Sequence, residues 1–252
     1  MSIPVQVLFT PADFGALTPP ALAGATCVVF DVLRATTTMI TALANGAEAI
    51  YPVADIAAAL ALRERMPEAL LGGERGGVRI GAALTGGVEF DFGNSPREYT
   101  TERVRGRSIV STTTNGTRAL QACVGATTVL AGAFLNLSAT ARRLNAHPPQ
   151  RLVLVCAGTG EEAAWEDMLA AGALWDALAA SGGDWEVADS AHFARQLYLQ
   201  SAADLLASMQ FSRNARRLLA MPELAEDVAV CLQRDTQPVV AALGTDGALR
   251  AG

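Results

Sequence analysis

Apolar and polar positions alternate along the chain in two registers: short β-branched runs, and Ala/Leu-rich segments with helical spacing. The runs predict strands over Val5–Phe9, Cys27–Val32, Ala49–Val53, Leu70–Gly72, Ser108–Ser111, Thr127–Ala131 and Arg151–Cys156, with a weaker one over Pro238–Leu243. Several are apolar at nearly every position, the pattern of strands covered on both faces. Helical spacing covers Thr37–Asn45, Asp55–Met66, Thr117–Val124, Leu137–Asn145, Glu162–Leu178, Ala191–Ala207 and Arg213–Ala220, with a further segment near Glu223–Cys231. Asp55 is placed to cap its helix and Pro67 to stop it, and Asn45-Gly46 reads as a helix C-terminus. The strand–helix alternation predicts an α/β fold with a mostly parallel or mixed sheet.

One segment breaks the alternation. Gly72–Pro96 is rich in glycine and carries Glu74, Arg75, Glu89, Asp91, Asn94 and Ser95. A long irregular segment inside a compact domain is usually functional or disordered. The 252 residues suit a single α/β domain, residues 1–252, with Pro148–Pro149 marking a seam near residues 145–150. A faint echo, TTTMIT at Thr36–Thr41 and TTTNGT at Thr112–Thr117, raises the idea of two similar halves.

Composition narrows the chemistry. All 19 basic residues are arginine, and His147 and His192 are the only two histidines. A GC-rich coding bias accounts for the missing lysine, but its absence excludes a Walker P-loop, a kinase strand lysine and Schiff-base chemistry whatever the cause. Two histidines are too few for a three-histidine or HExxH zinc site. Cys27, Cys123, Cys156 and Cys231 form no CxxC pair and sit mostly in apolar runs, as expected of buried reduced thiols in a cytoplasmic protein. No basic, apolar leader and no apolar run of transmembrane length is present, so neither secretion nor a membrane span is expected. With a net charge of −6 and scattered arginines, no nucleic-acid partner is expected.

Three predicted strands run into small, polar turns: Asp31–Thr38, Ser111–Thr117 and Cys156–Gly160. In an open parallel sheet these turns share the carboxyl edge, where ligands bind. Helix N-termini, threonine hydroxyls and the Arg34 fork would form an oxyanion cradle there. Asp31, Glu74, Asp91, Glu166 and Asp167 supply carboxylates. Without lysine, an oxygen-ligated cation such as Mg²⁺ is the natural neutraliser beside a phosphoryl group. Known phosphatase signatures fail on spacing. Leu33 stands where the haloacid-dehalogenase pattern needs its second Asp, and Cys27 lies one residue too far from Arg34 for a tyrosine-phosphatase loop. Asp91-Phe92-Gly93 lacks the rest of a kinase.

Taken in order, DVLRATTT (Asp31–Thr38), GGERGG (Gly72–Gly77), DFGNSP (Asp91–Pro96), STTTNGT (Ser111–Thr117) and CAGTG…ED (Cys156–Asp167) resemble the 2-phosphosulfolactate phosphatase family. Glu162–Trp165 and the Gly-rich stretch Gly81–Glu89 depart from the family pattern. The resemblance implies a three-layer α/β/α fold and a homodimer. It also implies Mg²⁺-dependent hydrolysis of 2-phospho-3-sulfolactate to 3-sulfolactate and phosphate, a step of coenzyme M biosynthesis. On this reading Asp31, Arg34, Glu74, Arg75 and Asp91 are the catalytic candidates, and Asp31, Asp91, Glu166 and Asp167 the metal candidates. Thr37, Thr38, Asn94, Ser95, Thr113, Thr114, Asn115 and Thr117 would line the substrate site, with a small anionic organophosphate as the partner. A lyase or synthase on a small phospho- or sulfo-acid, and a non-catalytic organophosphate-binding protein, remain the alternatives.

Overall fold

The unbroken apolar run at Ala25–Phe30 forms a strand buried at every position in the computed structural model, which describes residues 2–252. Eleven strands make one sheet: β1 (Ile3–Leu8), β2 (Ala25–Phe30), β3 (Ala49–Pro52), β4 (Leu70–Arg75), β5 (Val78–Arg79), β6 (Ser108–Thr112), β7 (Thr128–Gly132), β8 (Arg151–Cys156), β9 (Trp185–Val187), β10 (Ala241–Leu243) and β11 (Leu249–Ala251). Their order across the sheet is β5-β4-β6-β3-β11-β10-β7-β2-β8-β1-β9.

The sheet contains two parallel blocks. β7, β2, β8, β1 and β9 pair in parallel, and so do β4, β6 and β3. The blocks are joined by the C-terminal hairpin, in which β10 pairs antiparallel with β7 and β11 antiparallel with β3. The blocks therefore run in opposite senses, and the sheet is mixed. The eight predicted strands all form. β5, β9 and β11 were not foreseen, because two or three residues at a sheet edge or in a hairpin leave no alternation to detect.

Side chains alternate across the strands and build separate cores. Val28 and Phe30 of β2 join Leu152 and Leu154 of β8 against the helices Leu137–Ala146, Trp165–Ala180 and Asp189–Ser201. Cys27 and Val29 face the other way, with Val153 and Val155, towards the helices Ala35–Ala44 and Gly116–Ala122. The second core continues under the smaller block through Ile50, Ile109 and Leu249. The far side of that block packs Leu71 and Val110 against the helix Ile56–Arg65. Helices thus cover both faces, giving the three-layer α/β/α arrangement.

The helix limits follow local chemistry. Asp55 accepts a hydrogen bond from the Ala58 N–H at 2.8 Å, and Gly46, at φ +93°, follows the Ala35–Ala44 helix. The predicted helix Ala191–Ala207 is corrected to two. It stops at Ser201, and Asp204 caps a new turn, Leu205–Ser208, by accepting from Ala207 N. Pro148–Pro149 lies between the helix Leu137–Ala146 and β8. No helix among the described residues is long and apolar enough to cross a membrane.

Candidate active site

The end of β4 and the turns that follow β2, β4, β6 and β8 meet around a cavity of about 330 Å³. They bring to it Asp31 and Arg34, Glu74 with Gly76 and Gly77, Thr114 and Asn115, and Gly158–Gly160. Asn94 adds one wall, and Arg213, Asn214 and Arg217 of the helix Arg213–Leu219 close another. Asp31 belongs to the larger block and Glu74 to the smaller, whose strands run the other way. A flat sheet would separate them on opposite edges, yet the two ends meet: Thr114 after β6 bonds Glu74, and Gly116 lies against Asp31 and Ala35.

Asp31 is buried at the cavity floor. Its Oδ1 accepts from Ala35 N at 3.1 Å, and its Oδ2 accepts no hydrogen bond among the described residues. Burial raises its pKa to about 7; Glu74 and Glu166 push the same way, while the Ala35 N–H and Arg34 oppose. Gly116 is required beside it, because a Cβ there would stand 2.6 Å from Asp31 Oδ2 and 2.6 Å from the Ala35 methyl.

Glu74 is held at both oxygens. Oε2 accepts from Gly77 N at 2.7 Å, and Oε1 accepts from the Thr114 N–H and hydroxyl, each at 2.9 Å. Arg34 is buried. It donates through Nη1 to Asp227 Oδ2 at 2.7 Å and through Nη2 to the Gly77 carbonyl at 2.6 Å. Asp227, fully buried on the helix Ala225–Cys231, also accepts from the Ser95 hydroxyl at 2.6 Å and from Arg97 Nε at 2.7 Å. A buried arginine needs such a partner, because an unpaired charge in the interior costs several kcal/mol.

Of the candidates read from the sequence, Asp31, Arg34, Glu74, Asn94, Thr114 and Asn115 line the cavity. The others have partners elsewhere. Thr37 donates to Val32 O at 2.8 Å and Thr38 to Asn94 O at 2.8 Å, so these hydroxyls secure loops, and neither residue lines the cavity. Thr113 and Thr117 bond one another across the first turn of their helix. Ser95 is engaged by Asp227. Arg75 donates to Glu74 O and to the Thr112 carbonyl and hydroxyl, and stays outside the cavity. Asp91 is exposed and accepts from Leu71 N at 2.7 Å.

Glu166 and Asp167 lie buried behind the cavity. Asp167 accepts from Val32 N at 2.8 Å and Gly158 N at 3.1 Å, tying the turn after β2 to the turn after β8. Burial lifts its carboxyl well above the usual range, with Glu166 and Asp31 adding to the effect. Glu166 accepts from the Ser212 hydroxyl at 2.7 Å; burial raises it too. Asn115 Nδ2 makes a similar tie, donating to Ala157 O at 3.1 Å and Gly160 O at 2.8 Å.

Arg213, Asn214, Arg217 and Asp227 escaped the sequence reading. Arg213 and Arg217 are one helical turn apart and share a face, which was the available signal. Asp227 offered only an acidic position inside an apolar helix.

Among the described residues, no group of three or more His, Cys, Asp or Glu side chains is arranged to hold a metal. Mg²⁺ does not demand such a cage, because it is commonly bound through one or two carboxylates, water and substrate oxygens. Asp31 fits that role: it is a buried carboxylate with a free oxygen and a raised pKa, and a cation would offset the cost of its charge.

A family model described as 2-phosphosulpholactate phosphatase matches residues 15–245. A "probable 2-phosphosulfolactate phosphatase" of Synechococcus sp. (strain RCC307) is 41% identical over 231 residues, covering 88% of this chain and 91% of that one. The protein of the same name from Synechococcus sp. (strain JA-3-3Ab) is 42% identical, over 88% and 90% of the two chains. The one from Pseudothermotoga lettingae is 36% identical, over 94% of both. With this match running through both sheet blocks and every turn that lines the cavity, the chain belongs to the 2-phosphosulfolactate phosphatase family.

Proposed function

We propose that this chain is a Mg²⁺-dependent phosphatase that hydrolyses 2-phospho-3-sulfolactate, or a closely similar 2-phospho acid, to the 2-hydroxy acid and phosphate. The observation that carries the reading is the cavity itself. It joins a buried carboxylate of raised pKa, Asp31, to an arginine held in place by a buried aspartate, at the strand ends where α/β proteins bind ligands.

Arg34, fixed by Asp227 and the Gly77 carbonyl, keeps N–H groups free for phosphoryl oxygens and loses little entropy in binding them. Thr114 and Asn115 narrow the walls. Glu74, oriented by three donors, serves as acceptor for a proton of the attacking water. Water adds to phosphorus, the bond from phosphorus to the ester oxygen breaks, and that oxygen takes up a proton to become the 2-hydroxyl. Mg²⁺ held by Asp31, water and the substrate would supply positive charge to the phosphoryl oxygens. The family resemblance extends the proposal to a cytoplasmic homodimer acting in coenzyme M biosynthesis.

Phosphate release from phosphosulfolactate, with and without EDTA, tests the scheme. EDTA should abolish release and added Mg²⁺ restore it, and Asp31→Asn should lower kcat by roughly a hundredfold or more. Turnover that ignores EDTA would remove the metal. Unchanged turnover of Asp31→Asn would remove Asp31, and no phosphate from the wild type would end the phosphatase reading.

A further inference from the structure

Three arginines reach the cavity, and they differ in how they are paired. Arg34 has Asp227 at 2.7 Å, and Arg213 has Glu162 at 2.6 Å. Arg217 makes no salt bridge among the described residues; its guanidinium donates only to the carbonyl of Gly76. Arg34 donates to the next carbonyl, that of Gly77. Two cations are thus anchored on consecutive carbonyls of one turn, the turn between β4 and β5.

The glycines make this convergence feasible. Gly76 and Gly77 have φ of +64° and +82°, which L side chains rarely adopt, and neither presents a Cβ to the cavity. A Cβ at Gly77 would lie 3.7 Å from Arg217 Nη2 and 4.0 Å from Arg34 Nη2. The turn therefore brings two guanidinium groups to the same small region, where Asp227 pairs with Arg34 and Glu74 accepts from Gly77 N, but no carboxylate among the described residues pairs with Arg217. Like charges held this close favour an anion that takes donors from both.

Depth orders the two positions. Asp31 and Arg34 are buried, whereas Arg217 is exposed at the mouth. On the phosphatase reading, the transferred phosphoryl group lies at the floor. We infer that Arg217, with Arg34 shared between it and the phosphoryl position, forms a second anion subsite across the Gly76–Gly77 turn that binds one of the two acid groups of the substrate that are not transferred, the sulfonate rather than the carboxylate. Three tetrahedral oxygens suit two separate forks better than a flat carboxylate does. This assignment rests on the proposed function for its turnover test, but its binding test stands apart.

Two substrates separate the roles: phosphosulfolactate, and 2-phospholactate, which keeps the phosphoryl and carboxylate groups and lacks the sulfonate. For Arg217→Gln, kcat/KM should fall roughly ten- to hundredfold with phosphosulfolactate, mostly through KM, and stay within about twofold with phospholactate. Arg217→Lys should recover part of the loss, because it restores charge without the fork. Equal losses with both substrates, or no loss with either, would overturn the subsite. Calorimetric binding of 3-sulfolactate needs no turnover. Wild type should bind it more tightly than lactate, and Arg217→Gln should erase that preference; a preference that survives in the variant would refute the assignment even if the chain proved not to be a phosphatase.

Discussion

Asp31 shows how far burial can change one side chain. In the unfolded chain its carboxyl ionises near 3.8, and in the fold near 7. Between those values the folded state holds a proton that the unfolded state releases. This contribution to stability is fully present below the unfolded value and is lost as pH rises through about 7. Glu166 and Asp167 are shifted in the same direction, so they act with the same sign. In metal-free buffer, stability from urea denaturation should therefore fall as pH rises from about 4 to about 7, by up to about 1.4 kcal/mol per pH unit from Asp31, with Glu166 and Asp167 acting in the same direction. Asp31→Asn should flatten the slope and be the more stable protein at pH 8. A variant whose slope equals that of the wild type would contradict the shift. Other residues illustrate what type and spacing cannot tell. Thr37, Thr38, Thr113 and Thr114 look alike in sequence, yet only Thr114 lines the cavity, while the other hydroxyls bond backbone groups: Val32 O, Asn94 O and Thr117 N. Ser95 and Arg34 read as independent ligand groups until folding brings Asp227 to both.

Among the elements, the helix Ala35–Ala44 is buried on nearly every side, contacting β3, β7, β10 and β11. Its apolar and threonine-rich composition, without a charged face, matches that position. The helix Trp165–Ala180 meets Asp189–Ser201 closely because Gly172 has no side chain; a Cβ there would overlap the Ala194 carbonyl oxygen. Gly172→Ala should destabilise the protein by about 1–3 kcal/mol in urea denaturation, since backbone cannot yield as a flexible side chain can. Gly15→Ala, with open space around the site, is the control and should cost nothing. Equal behaviour of the two variants would show that the helix pair tolerates the methyl. Element boundaries were legible where capping chemistry is local, as at Asp55 and Gly46. The division of the predicted Ala191–Ala207 helix was not, because apolar spacing continues across the break at Asp204.

At the scale of the molecule, the C-terminal hairpin joins β7 to β3 and so makes one sheet of two opposed blocks. Removing residues 245–252 deletes β11 and the pairing across that join. Calorimetry of the shortened chain should show a lower Tm, and a transition broader than that of the whole chain or divided in two. A single transition at the original Tm would mean that the shared core, and not the hairpin, couples the blocks. By itself the sequence determined the α/β class, eight of the strands, and the family through its ordered motifs. These depend on local periodicity and on residues near one another in the chain. Only the tertiary structure decided that the sheet is mixed, that Arg213, Asn214 and Arg217 complete the cavity, and that Asp227 engages Ser95. Each of those rests on contacts between distant segments, such as the 193 positions from Arg34 to Asp227, and packing and charge pairing settle them only when the chain has closed on itself.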